Sequence, residues 1–186
     1  MLARWMLAGI HTDNLIILAK GGSATVRDFV APYQGSVKEP TYQIRGYVRN
    51  TMPSLVIECG DSESLLQDDK NLWLHGSQGV RVVILVKYFR ENARNQVKVL
   101  MEIWKTGQPV ESISLFPDPT IPNPPKDLAP PGPLPAAGGP HIVMDDLYSG
   151  QCPPDVVGTT QLPLDIHSLR CFIHDWATRA GVALIP

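Results

Sequence analysis

Residues 53–88 read PSLVIECGDSESLLQDDKNLWLHGSQGVRVVILVKY. Two apolar runs, SLVIECG and VRVVILVKY, flank an amphipathic segment. This is the sequence form of a strand, a crossover helix and a second strand parallel to the first. In the first strand Leu55, Ile57 and Cys59 point one way and Val56 and Glu58 the other. Both faces are apolar except at Glu58, as expected of a strand covered by helices on both sides. A carboxylate there costs several kcal/mol unless it is paired, protonated or bound to a cation, on the order of the penalty for other buried ions. Glu58 therefore needs a partner.

The intervening helix has capping-box spacing at Ser64 and Gln67, and an apolar stripe of Leu65, Leu66, Leu72 and Trp73. Asp69, four residues from both Leu65 and Trp73, looks toward the sheet, whereas Asp68 faces away. Gly76 and Gly79 end the helix, and Lys87 stands at the far end of the second strand. Downstream, ENARN is turn-like and QVKVLMEIWK alternates, with Val97, Val99, Met101 and Ile103 on one face, so an antiparallel hairpin is expected. VESISLF reads as a fifth strand. Between Pro117 and Pro140, 10 of 24 residues are proline, a composition that favours extended chain over helix or sheet. It reads as a surface strap or loop, with a ligand for an SH3-like or WW-like partner as the alternative. HIVMDDL follows as a brief strand. A last helix begins at Asp165 as N-cap, carries a stripe of Leu169, Phe172, Ile173, Trp176 and Ala180, and stops at Gly181. His167 and His174 lie on one side of it, but no Cys or carboxylate is spaced to complete a metal site with them.

Upstream, MLARWMLAGI reads as a short packing helix. His11, Asp13 and Asn14 interrupt it well short of a membrane span, and no A-x-A-like cleavage site follows. NLIILAK is a strand or the tail of a helix. KEPTYQIRGYV is a strand with one wet face, extended at its start by Pro40.

The 186 residues form one domain, 1–186, long enough to bury a continuous core. With 16 Lys+Arg against 18 Asp+Glu the formal charge is −2, so a domain-wide basic excess for nucleic acid is lacking, although a local basic groove is compatible with it. Three cysteines without CxxC spacing suggest neither a disulfide framework nor a zinc ribbon, and an intracellular setting, cytoplasmic or nuclear, fits them.

The string PSLVIECGDSES, the helix with DDKNLWL and the strand VRVVILVK resemble a group of uncharacterised proteins from filamentous fungi with the restriction-endonuclease-like, PD-(D/E)XK fold. ESISLFPDP, HIVMDDLYSG and LPLDIHSLR are similar to that group too, so the resemblance runs from about Lys38 onward. It implies an α/β (α+β) domain with a central mixed sheet of four to five strands flanked by helices. In active members it also implies a Mg²⁺- or Mn²⁺-dependent phosphodiesterase site. That chemistry uses an Asp and a Glu as oxygen ligands for a hard cation and a Lys beside the attacked phosphate. Here Glu58 matches the family glutamate. Thr41 stands where the aspartate is expected, and Gly60 where (D/E)XK has its lysine. The family pattern then carries over to Glu58, Asp69 and Lys70 as catalytic residues, with Glu58 and Asp69 as metal ligands and Glu39 as an extra ligand. The plain alternatives are a Glu58 held by backbone N–H groups or the Ser62 and Ser64 hydroxyls, an Asp69 hydrogen-bonded at the core edge, and a solvated Lys70.

Three functions follow. The first is a catalytically degenerate member of the fold acting as a binding or assembly module, with no cofactor and with a protein partner, a second copy or nucleic acid, but no membrane. The second is an active Mg²⁺ or Mn²⁺ nuclease using Glu58, Asp69 and Lys70. The third is an enzyme on a small metabolite, marked by an apolar pocket near Trp73, Trp104 or Trp176.

Overall fold

The computed structural model describes residues 19–21, 24–45, 52–91, 96–116 and 139–185. The expected N-terminal packing helix, the start of NLIILAK, most of the ENARN turn and the proline-rich strap up to residue 138 lie outside the described residues.

The parallel pair forms as its apolar runs require. β3 (Leu55–Gly60) and β4 (Val82–Glu91) pair in parallel from Leu55↔Val82 to Gly60↔Lys87, and α1 (Glu63–Gly76) makes the crossover. β5 (Gln96–Lys105) returns antiparallel along the full length of β4, and β6 (Glu111–Phe116) follows antiparallel on β5. On the other side β2 (Tyr42–Arg45) pairs antiparallel with β3. These five strands form a mixed sheet flanked by helices. Two short strands extend it: β1 (Ala19–Gly21) on β2, and β9 (Ala183–Leu184), which runs parallel to the first residues of β5. A two-stranded ribbon of β7 (His141–Val143) and β8 (Gln161–Pro163) encloses the single-turn α2 (Met144–Leu147) and leads into α3 (Ile166–Ala180).

The two-residue alternation of the central strands divides the core in two. Leu55, Ile84, Val97, Val99, Met101 and Ile103 face α3 and the ribbon, while Val56, Val83 and Leu85 face α1 with Leu66 and Trp73. Trp73 is fully buried and stacks obliquely on Phe29, ring centroids 5.3 Å apart. Burying such a side chain contributes roughly 2–3 kcal/mol. The segment around Val26–Val30 packs on α1: Val26 and Phe29 are buried, and Val30 N–H donates to the Gly76 carbonyl at 2.7 Å.

Four local expectations are corrected. The N-cap of α1 is Ser62, whose hydroxyl accepts from Leu65 N–H at 3.4 Å, because only a two-residue turn separates Gly60 from the helix. Gln67 instead donates to Glu63 Oε1 at 2.9 Å. The face of α1 centred on Leu66 and Trp73, seven residues apart, leaves Leu65 turned out and 63% exposed. In α3, Asp165 caps Ser168 N–H at 3.0 Å and Gly181, at φ 67°, closes the C-terminus as the sequence predicts. Its buried residues, however, are Cys171, Ile173 and Ala177, and Phe172 is 64% exposed. Finally, the wet face of KEPTYQIRGYV is not wet at Gln43, which is fully buried and accepts both Arg45 Nε–H at 3.2 Å and Nη2–H at 3.1 Å. Among the described residues no helix is long and apolar enough to cross a membrane.

Candidate functional site

Glu58 is buried on β3 and faces α1. Its Oε1 accepts the Trp73 indole N–H at 2.8 Å. Its Oε2 accepts the Thr41 backbone N–H at 3.1 Å and the Thr41 hydroxyl at 3.2 Å. That hydroxyl in turn accepts Cys59 N–H at 3.3 Å, which ties β3 to the start of β2. The carboxylate thus has three donors on its two oxygens, and each charge-assisted bond contributes roughly 1.5–3 kcal/mol against a buried unpaired charge. The Ser62 and Ser64 hydroxyls do not take part; they lie 3.3 Å from each other.

The other predicted site residues have partners of their own. Asp69 pairs with Lys38 Nζ at 2.6 Å. Lys70 places its Nζ 4.1 Å from the Trp104 ring centroid, a cation–π contact. Glu39 accepts the Thr25 hydroxyl at 2.6 Å on the surface. No hydrogen bond or ion pair links Glu58, Asp69 and Lys70 to one another. Among the described residues no group of three or more His, Cys, Asp or Glu is arranged to hold a metal ion. On α3, His167 Nε2 lies 3.7 Å from the Cys171 sulfur, and the His174 carbonyl accepts the Thr178 hydroxyl at 2.9 Å.

Sequence reasoning missed Lys87. It pairs in register with Gly60 on the neighbouring strand and is only 3% exposed. Its Nζ lies 2.7 Å from both Glu63 Oε1 and Glu102 Oε1. Glu102 Oε2 accepts the Trp104 indole N–H at 2.8 Å, and Lys70 covers that ring. Burial alone would lower the Lys87 pKa, but the hydrogen bonds to Glu102 and Glu63 outweigh it and the net shift is upward. The Glu63 carboxyl is held low, first by its bond to Lys87 and then by Gln67. The signal was available: Lys87 shares the parity of Val83 and Leu85 in an apolar strand, so its side chain had to turn inward.

Behind β3 the chemistry is different. Cys59, on the opposite face from Glu58, is an exposed residue, yet desolvation of its thiol pushes it up to about 11, with the Glu58 charge adding to the shift. Tyr88 is raised as well, by burial and then by Asp61 and Cys59. Comparison with known proteins returned no matching family, no matching curated protein and no matching solved structure.

Proposed function

We propose that the chain is a catalytically degenerate PD-(D/E)XK-like domain acting as a binding or assembly module. The observation that carries this reading is the occupation of Glu58: Trp73 and Thr41 fill the oxygens that a catalytic carboxylate would turn to a cation. Thr41 brings its hydroxyl within 3.2 Å of Glu58, the place from which an aspartate would share that cation, but a neutral donor supports the carboxylate instead of adding a second charge. Gly60 leaves the lysine position empty, and Lys87, across from it on β4, is neutralised by Glu63 and Glu102. The order of three antiparallel strands, a crossover helix and a parallel strand is compatible with the same fold. A formal charge of −2 favours a protein partner or a second copy over nucleic acid.

The test is calorimetric titration of Mn²⁺ and Mg²⁺ into the full chain and into Glu58→Gln, with folding checked by circular dichroism, alongside cleavage assays on plasmid DNA and single-stranded RNA. No saturable heat at millimolar metal and no cleavage are expected. Saturable Mn²⁺ binding that disappears in a folded Glu58→Gln variant overturns the reading and returns the active nuclease, with Mg²⁺ or Mn²⁺ as cofactor.

A further inference from the structure

Between α3 and the β3–β4 face of the sheet runs a cleft made of two successive apolar cavities that share Val86 in their walls. One, of about 240 Å³, lies under the first turn of α3, between Ile57, Ile84, Met101 and Leu169. The other, of about 230 Å³, opens between Cys59, Tyr88, Phe172, Ile173 and Trp176. The Tyr88 and Trp176 rings stand 5.8 Å apart at 46°, forming an aromatic wall, and Phe172 extends that wall into solvent. Among the described residues neither the Cys59 thiol nor the Tyr88 hydroxyl has a hydrogen-bond partner. We propose that this cleft binds a small uncharged aromatic compound carrying a carbonyl oxygen.

The lining selects that chemistry. Val86, Val99 and Ile173 form an apolar floor that would strip the water from any charged ligand at a cost of several kcal/mol or more, on the order of the usual penalty for ion burial. An anion meets a second obstacle, because the Glu58 and Asp61 charges that raise Cys59 and Tyr88 also repel it. The thiol and the phenol both keep their protons at neutral pH and so act as donors, the phenol strongly and the thiol weakly. Two neutral donors beside an aromatic wall suit an acceptor oxygen on a flat ring, and a largely apolar concavity with a few convergent polar groups is the usual form of a small-molecule site. The site lies on the opposite face of β3 from Glu58, so it does not rest on the reading of that carboxylate.

The probe is 6-propionyl-2-dimethylaminonaphthalene, an uncharged aromatic ketone whose emission shifts to the blue in apolar surroundings. Titrated into the full chain, it is expected to bind saturably, with Kd on the order of 10–100 μM, while naphthalene-2-sulfonate does not compete. Tyr88→Phe, which deletes only the hydroxyl, weakens binding about two- to tenfold. Trp176→Ala weakens it about tenfold or more. Phe172→Ala, at a more exposed position, shifts it in the same direction and guards against a folding defect in the tryptophan variant. Absence of saturation, or affinity unchanged in all three variants, overturns the proposal. So does a dimer, seen by light scattering, that Trp176→Ala dissociates while the probe fails to bind, since the cleft then belongs to a second copy.

Discussion

Replacing Lys87 by Met tests the charged layer between α1 and the sheet. The substitution keeps the length of the side chain and removes the ammonium that lies 2.7 Å from two carboxylates. Loss of one partner from a fully buried ion pair costs about 3–5 kcal/mol. Here the cost is reduced, because Glu63 is 52% exposed and recovers water, whereas Glu102, 16% exposed, keeps the Trp104 N–H as its one remaining side-chain partner among the described residues. About 2–3 kcal/mol is therefore expected at neutral pH. With a urea m-value of about 2 kcal/mol/M this lowers the midpoint by about 1–1.5 M, and in a chain of this size it lowers Tm by roughly 4–12 °C. The pH dependence adds a signature. Glu63 is depressed in the folded state, so its contribution is complete above its unfolded value near 4.5 and is lost as the pH falls through the folded value. Lys87 is raised, so its contribution is complete below 10.5 and is lost as the pH climbs through the folded value. The gap between wild type and Lys87→Met must accordingly narrow at both ends, and urea titrations at pH 4, 7 and 11 measure it. A loss under about 0.5 kcal/mol at pH 7, within the range of ordinary surface substitutions, or a gap that does not change with pH, refutes the claim that Lys87 is held by its two carboxylates.

Three further outcomes are expected. Trp73→Phe leaves Glu58 Oε1 without its donor and costs about 2–4 kcal/mol, read as a lower urea midpoint; a loss below about 1 kcal/mol means that the indole bond does not hold the carboxylate. Gly76→Ala, a change that usually stabilises a helix, destabilises here by about 1–3 kcal/mol, since an added Cβ would lie 2.8 Å from Tyr33 Cδ2 and 2.9 Å from its Cβ; Tyr33→Ala in the same chain should relieve part of that loss in thermal melts. The Cys59 and Cys152 thiols, both pushed up to about 11, react with iodoacetamide at pH 8.5 much more slowly in the native chain than in the urea-unfolded one, and peptide mapping that finds equal rates for either residue contradicts its neutral state.

The parallel pair, the hairpin and the last helix were legible because period and length act locally: two apolar runs of strand length around a helical stripe admit few arrangements. Register was not legible. Nothing in VVILVKY states that Lys87 stands beside Gly60, since that pairing depends on where the crossover helix lets β4 begin. The partners of Glu58 were hidden for a related reason. The need for a partner follows from burial alone, but Thr41 is 17 residues away and Trp73 is 15, and only the β2–β3 pairing and the rotation of α1 bring them to one carboxylate. Asp69 was read as looking toward the sheet; its partner is Lys38, the first residue of KEPTYQIRGYV, and the helix stripe alone does not show that this segment lies against it. The stripe on α3 failed differently. Phe172 and Trp176 have the right spacing for burial, but an apolar residue is as well accommodated at the rim of a cleft as in a core, and the periodicity is the same for both.

The two faces of β3 explain why the Glu58 reading and the cleft can be tested apart. One face places Glu58 among donors from Thr41 and Trp73, with the Lys87 ion pairs beside it; these charged groups are hydrogen-bonded or ion-paired inside the protein, which stabilises the fold and leaves little to offer a ligand. The other face carries Ile57 into the first cavity and Cys59 into the second, whose lining is uncharged and whose thiol and phenol have no hydrogen-bond partner among the described residues. Unspent hydrogen-bonding capacity beside an apolar floor gives a ligand more to gain than a satisfied ionic layer does, because the ligand replaces water at groups that have no partner among the described residues. The coupling between the faces is electrostatic and runs from Glu58 to Cys59. Glu58→Gln should therefore bring the Cys59 thiol part of the way back toward 9, measured by the pH dependence of its alkylation, and leave the affinity of the cleft for an uncharged aromatic ketone within about twofold, since a neutral ligand does not sense the lost charge.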